Sequence, residues 1–202
     1  VPLAVDPHAR HDDVVTSSAG PVADLERAFA ATAAIVDDVP PDRRDAPSPC
    51  AEWTVTDVVE HLISGNLALA RALGPDLADA PEVAESLGPR FRSSADVLTA
   101  ALARPDALAG TVAIPFGTVP VPVAVALRTI EALVHGWDVA VASGQDPSAL
   151  PADVAETGIG FSESMFASTD RTRLPFAPAA PVAESAPPID RLAALLGREP
   201  RS

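Results

Sequence analysis

The 202-residue chain has no tyrosine, no lysine and a single cysteine, and aromatic residues make up only 4% of it. Each shortage excludes something. Cys50 alone forms no intrachain disulfide, and with no CxxC pair a reducing cytosol is the expected compartment. Without lysine, the 14 basic residues are all arginine, and against 28 acids they leave a formal net charge of −14. That balance offers no basic face to nucleic acid and none to an anionic membrane, so neither partner is expected. The charge serves solubility. With so few aromatics the core has to be Ala, Val and Leu, which suits closely packed helices. Hydrophobic residues still make up 48%, a globular composition.

The N-terminal stretch VPLAVDPHARHDDVV shows no basic flank followed by an apolar run, so no signal peptide is expected. The charge-free stretch ALAGTVAIPFGTVPVPVAVAL, residues 107–127, is long enough for a membrane helix. Pro115, Pro120, Pro122, Gly110 and Gly117 interrupt it, and a buried loop leading into a helix is the better reading. No Gly-rich phosphate loop and no G-x-S-x-G occurs.

Helical periodicity organises the rest. A leader, 1–20, precedes a first helix with Leu25, Phe29, Thr32 or Ala33, and Val36 at helical spacing. After a Pro-rich connection, Thr54 and Asp57 open a second helix that Gly74-Pro75 stops. Its apolar stripe is Val55, Val58, Val59, Leu62, Leu69 and Leu73. An acidic linker, a third helix over 90–105 and a Pro/Gly-rich loop over 105–120 follow. Pro120 and Pro122 lead into a fourth helix ending near Gly144, and a fifth lies within 150–168. A Pro/Ala tail closes with a short helix from Ile189 to Leu196. With no internal repeat and no period-2 strand, the reading is all-α with a four-helix core. The expected organisation is leader 1–20, bundle 21–170, and a tail, 171–202, whose short helix packs on the bundle.

Between Ala107 and Gln145 the only ionisable residues are Arg128, Glu131, His135 and Asp138, spaced 3, 4 and 3. On an α-helix they share one stripe. Two readings stay open on pattern alone: a narrow solvent-facing stripe, or a polar constellation turned into the bundle. Glu131 and His135, four apart, can converge on one ion, and carboxylate and imidazole suit Zn²⁺, Ni²⁺ or Fe²⁺. Of the four histidines, His8 and His11 lie in the leader, which leaves His61 as the candidate third ligand, its alternative being a half-exposed helix histidine. Small neighbours, Gly65 and Ala68, leave space beside it. Two imidazoles and one carboxylate leave coordination positions open, the pattern of a catalytic site. A solvated surface acid is the favoured reading for Asp138, with an outer partner orienting His135 as the alternative. Arg128 either holds Glu131 or an anionic substrate, or makes an ordinary ion pair. Asn66 interrupts the second helix's stripe and needs a partner if buried; it either supports the site, in substrate binding or behind a ligand, or bonds to a neighbouring backbone. An inert thiol is the favoured reading for Cys50, and a packing role for Trp53 and Trp137.

PCAEWTVTDVVEHLISGN and EALVHGWDVAVASGQ resemble the two signatures of the mycothiol-dependent maleylpyruvate isomerase N-terminal-domain family, in the DinB/YfiT-like superfamily. PFAPAAPVAESAPPIDRLAALLGREP is similar to the tail of a short actinobacterial metal-binding branch. The resemblance implies an up-down-down-up four-helix bundle, dimerisation through bundle faces, and zinc or nickel held by His61, Glu131 and His135. It implies further that the metal activates a low-molecular-weight thiol, such as mycothiol, toward an electrophile in transfer or isomerisation. The full isomerase carries a second, C-terminal domain where this chain carries a Pro-rich tail. Metal and thiol chemistry is therefore expected, rather than maleylpyruvate isomerisation itself. The rival is a non-catalytic metal- or ligand-binding bundle, of the kind used in stress response; a third reading is a helical protein without metal.

Overall fold

Thr54 sets the start of the second helix by a reciprocal cap. Its hydroxyl accepts the Asp57 N–H at 3.2 Å, and the Asp57 carboxylate accepts the Thr54 N–H at 2.9 Å. The computed structural model describes residues 20–50, 52–74, 86–115, 117–168 and 177–200. His8 and His11, most of the acidic linker and the start of the tail lie outside them. The helices are α1 (Pro21–Asp37), α2 (Val55–Leu73), α3 (Leu87–Leu102), α4 (Val121–Ser143), α5 (Ala152–Ser168) and α6 (Pro188–Leu195). Proline occupies the first turn of α1, α4 and α6, where a missing N–H costs nothing. α4 stops at Gly144, whose φ of 80° closes the helix in the left-handed region.

The protein is an all-α helical bundle. α1 and α2 each pack against both α3 and α4. Val55, Val58, Val59, Leu62 and Leu69 of the α2 stripe are buried, while Leu73 is only partly covered. On α1, Leu25, Phe29, Thr32, Ala33 and Val36 all face the core, where Phe29 meets Phe91 of α3 edge-on at 5.9 Å. Apart from Phe29, Phe91 and Trp137 the core is Ala, Val, Leu and Ile, as the composition requires. A part-buried Arg90–Glu60 pair and an exposed Arg92–Asp37 pair tie α3 to α2 and α1; surface pairs of this kind contribute about 0–1 kcal/mol each. α6 lies against α4 and α5 and buries Ile189, Leu192 and Ala193.

One expectation needs correction. The loop before α4 contains a hairpin: β1 (Thr111–Ile114) pairs antiparallel with β2 (Gly117–Pro120), with Val112 opposite Val119. Those two valines are buried, and Pro115 and Gly117 flank the turn. Four-residue strands with a single buried side chain each are too short for alternation to show in the sequence. No helix among the described residues is long and apolar enough to cross a membrane.

Candidate metal centre

α4 is apolar nearly all round because it is buried nearly all round, and its polar stripe is buried with it. Arg128, His135 and Asp138 are 4%, 7% and 0% exposed, and only the Glu131 side chain, at 37%, reaches solvent. The solvent-facing reading of the stripe is thereby excluded. Close approach to α1 is part of the cause. Gly136 faces Thr32, where an added Cβ would sit 2.7 Å from the hydroxyl, and that hydroxyl donates to the Ala132 carbonyl at 2.9 Å.

Glu131 lies between two partners. Its Oε2 takes Arg128 Nη1 at 2.9 Å, and its Oε1 faces His61 Nε2, on α2, at 3.7 Å. Burial works to raise its pKa, but the Arg128 guanidinium, with His61 and His135, brings it down to about 2. Glu131 is thus a carboxylate at any physiological pH. The space expected beside His61 at Gly65 is filled by Arg128: a Cβ there would collide with Nη1. Burial lowers the Arg128 pKa and Glu131 opposes it. Arg128 Nε and Nη2 have no hydrogen-bond partner among the described residues.

His135 faces His61 across 5.0 Å between ring centroids. Its Nδ1 is 2.9 Å from Asp138 Oδ2, so Asp138 is an orienting partner, not a solvated acid. This bond leaves Nε2 as the ring's remaining donor atom. Burial lowers the His135 pKa, and Asp138 opposes it. Burial would raise that of Asp138, but His135 and Arg198 hold it below the usual carboxylate range. Arg198 was not anticipated: it follows α6 and donates from Nε to Oδ1 at 3.2 Å and from Nη2 to Oδ2 at 2.9 Å.

Trp53 is also more than a packing residue. Its ring lies 4.8 Å from that of His61 and 5.9 Å from that of His135, roofing both imidazoles. A tight loop presents it, with Ser48 N–H donating to the Trp53 carbonyl at 2.8 Å and Trp53 N–H to the Cys50 carbonyl at 3.1 Å. Trp137 is buried, its Nε1 donating to Asp190 at 2.7 Å. Asn66 stands apart from these groups. It is fully buried, donates from Nδ2 to Ser94 on α3 at 3.1 Å, and leaves Oδ1 without a partner among the described residues.

The structure thus brings His61, Glu131 and His135 to one partly open face, with Arg128 behind the acid and Asp138 behind the second imidazole. Two imidazoles and a carboxylate suit a borderline divalent cation. Among the described residues, the group whose donor atoms all lie within 4.8 Å of one another is a different one that shares His135: Cys50, His135 and Asp138. The half-buried Cys50 thiol has its pKa raised, chiefly by burial. In that group the Asp138 carboxylate already carries a guanidinium across both oxygens. A divalent ion there would compete with a fixed cation, whereas Glu131 Oε1 is turned away from Arg128 and toward His61.

The chain is 33% identical over 177 residues, 87% of its length and 96% of theirs, to uncharacterized protein Rv0738 of Mycobacterium tuberculosis H37Rv and to uncharacterized protein MT0763 of strain CDC 1551. No solved structure matches it. The model of the mycothiol maleylpyruvate isomerase N-terminal domain matches residues 25–140, a span that takes in Trp53, His61 and the whole α4 stripe. The bundle, the paired imidazoles and this match agree: the chain belongs to the mycothiol maleylpyruvate isomerase N-terminal domain family.

Proposed function

We propose that the protein binds a divalent metal ion, zinc or nickel, through His61, Glu131 and His135 and uses it on a low-molecular-weight thiol of the mycothiol type. The supporting observation is the placing of two imidazoles and a carboxylate on one partly exposed face, with Arg128 behind Glu131 and Asp138 behind His135. The family membership supports the thiol. A bound divalent ion supplies Lewis acidity, which deprotonates a coordinated thiol near neutral pH and makes it a nucleophile toward an electrophile in transfer or isomerisation.

The chain's own residues set up that chemistry. Arg128 holds one Glu131 oxygen and leaves the other for the ion. Asp138 fixes the His135 ring so that Nε2 is its ligating atom. Trp53 closes one side over the imidazoles, so substrates approach from the side where Glu131 and His61 are exposed. Asn66, bonded to α3 deep in the core, takes no part in substrate binding on this reading and instead ties α2 to Ser94.

A second reading places the ion on Cys50, His135 and Asp138, whose donor atoms already converge. Metal content of the parent, His61→Ala, His135→Ala and Cys50→Ser proteins separates the two. Near-stoichiometric metal that is lost in His61→Ala and His135→Ala but kept in Cys50→Ser is the expected result. Loss in Cys50→Ser with retention in His61→Ala would transfer the site to the second group. No metal in the reloaded parent would reject both. Turnover of a mycothiol-type thiol with an electrophile by the loaded protein then separates an enzyme from a non-catalytic metal-binding bundle.

A further inference from the structure

We infer that Arg198 is a positioning residue of this centre, and that the C-terminal arm carrying it is a working part of the site. The inference rests on the reading of His135 as a metal ligand. Asp138 is fully buried, and a buried carboxylate needs a counter-charge. Arg198, its side chain 11% exposed, supplies it as a two-pronged fork on Oδ1 and Oδ2. Oδ2 takes both Arg198 Nη2 and His135 Nδ1, each at 2.9 Å. The oxygen that orients the imidazole is therefore the oxygen the arginine pins.

The arm is built to deliver this guanidinium. α6 ends in a paired C-terminal cap, with Gly197 N–H on the Ala194 carbonyl and Arg198 N–H on the Ala193 carbonyl, both at 3.0 Å. Gly197 has φ of 87°, and a Cβ there would lie 2.6 Å from that of Ala177, so only glycine makes this turn without strain. Arg198 Nη1 donates to the Leu196 carbonyl at 3.1 Å, which fixes the fork relative to the helix end. A second bond holds the arm to the same place on α4: Trp137, the residue before Asp138, donates to Asp190 of α6 at 2.7 Å. Arg198 lies beyond residue 140, where the family match ends, so this tie comes from outside the matched domain.

Loss of the fork leaves the Asp138 carboxylate unpinned and the His135 ring without a fixed orientation. Zinc titration of the full-length parent, Arg198→Met and Arg198→Lys tests this, alongside the His135 Nδ1–H resonance of the metal-free proteins. The Met variant should bind zinc about 10–100-fold more weakly, the usual cost of losing an outer partner. The Lys variant, keeping the charge but not the fork, should fall between it and the parent. The Nδ1–H resonance should be sharp in the parent and broadened away in Arg198→Met, with far-UV circular dichroism unchanged. Parent-like zinc affinity in Arg198→Met would overturn the inference while leaving the metal reading intact. A parent that takes no zinc would overturn the metal reading, and the resonance alone would then decide the arm's hold: its persistence in Arg198→Met refutes it, its loss supports it. Should Arg198→Met not fold, Arg198→Lys carries the same comparison, with parent-like affinity and resonance as the refuting result.

Discussion

Arg128 carries an unusual load for one residue: a buried guanidinium with one paired nitrogen and two unpaired ones. Unpaired buried N–H groups cost stability and offset part of what the pair with Glu131 contributes. Arg128→Met removes the counter-charge of Glu131 and should cost about 1–3 kcal/mol at neutral pH, a loss that shrinks below about pH 4.5 as Glu131 takes up a proton. The same variant should raise the Glu131 pKa from about 2 toward its ordinary 4.5, read by carboxyl-carbon NMR titration; an unmoved Glu131 would show that Arg128 is not its counter-charge. Gly65→Ala puts a methyl group where Nη1 lies and forces the guanidinium out. It should cost about 1–3 kcal/mol in urea unfolding, and parent-like stability would mean that Arg128 has another place to go. None of this was legible at Gly65, where the missing side chain reads as room for an ion. Which neighbour fills a gap is decided by the helix across from it.

At the scale of the element, the sequence was easiest to read where the determinant is local. The Thr54–Asp57 box, Pro120 and Pro122 opening α4, and Gly144 closing it each act within a few residues, and each appears in the structure. Thr54→Ala should cost about 1 kcal/mol by loss of the cap, measured as a shift in the urea midpoint. Gly144→Ala meets no atom within 4 Å, so its cost is backbone strain alone, about 1–2 kcal/mol. A cost near zero would show that the helix end can unwind by a turn without loss. The hairpin before α4 escaped notice because its order comes from Val112 and Val119 packing on the bundle, not from the run of residues itself.

For the whole molecule, the buried charges make stability depend on pH. Without metal, His135 has a folded pKa below its ordinary 6.5, with burial as the main cause. The unfolded chain therefore takes up that proton first, and stability falls as pH drops below about 6.5. Glu131, at about 2 when folded against 4.5 ordinarily, adds a further loss below about pH 4.5, and the lowered Asp138 acts in the same direction. The expected profile of urea midpoints for metal-free protein is level near neutrality and declining from about pH 6.5. A midpoint that rises on acidification would contradict the buried, neutral His135.

Helix positions and the all-α class were within reach of the linear pattern, and so was the candidate trio His61, Glu131 and His135 that the proposal rests on. Periodicity, capping and the i, i+4 spacing are short-range properties, and with two of the four histidines confined to the leader the candidate pairs were few. The inward turn of the α4 stripe was not, because an even apolar surround is compatible with either face until the neighbouring helices are placed. Trp53, Cys50 and Arg198 join the centre from a loop and from a terminal arm some sixty residues from Asp138. No local pattern marks them. Their roles exist only where tertiary packing puts an indole over two imidazoles and a guanidinium on a carboxylate that has no water to turn to.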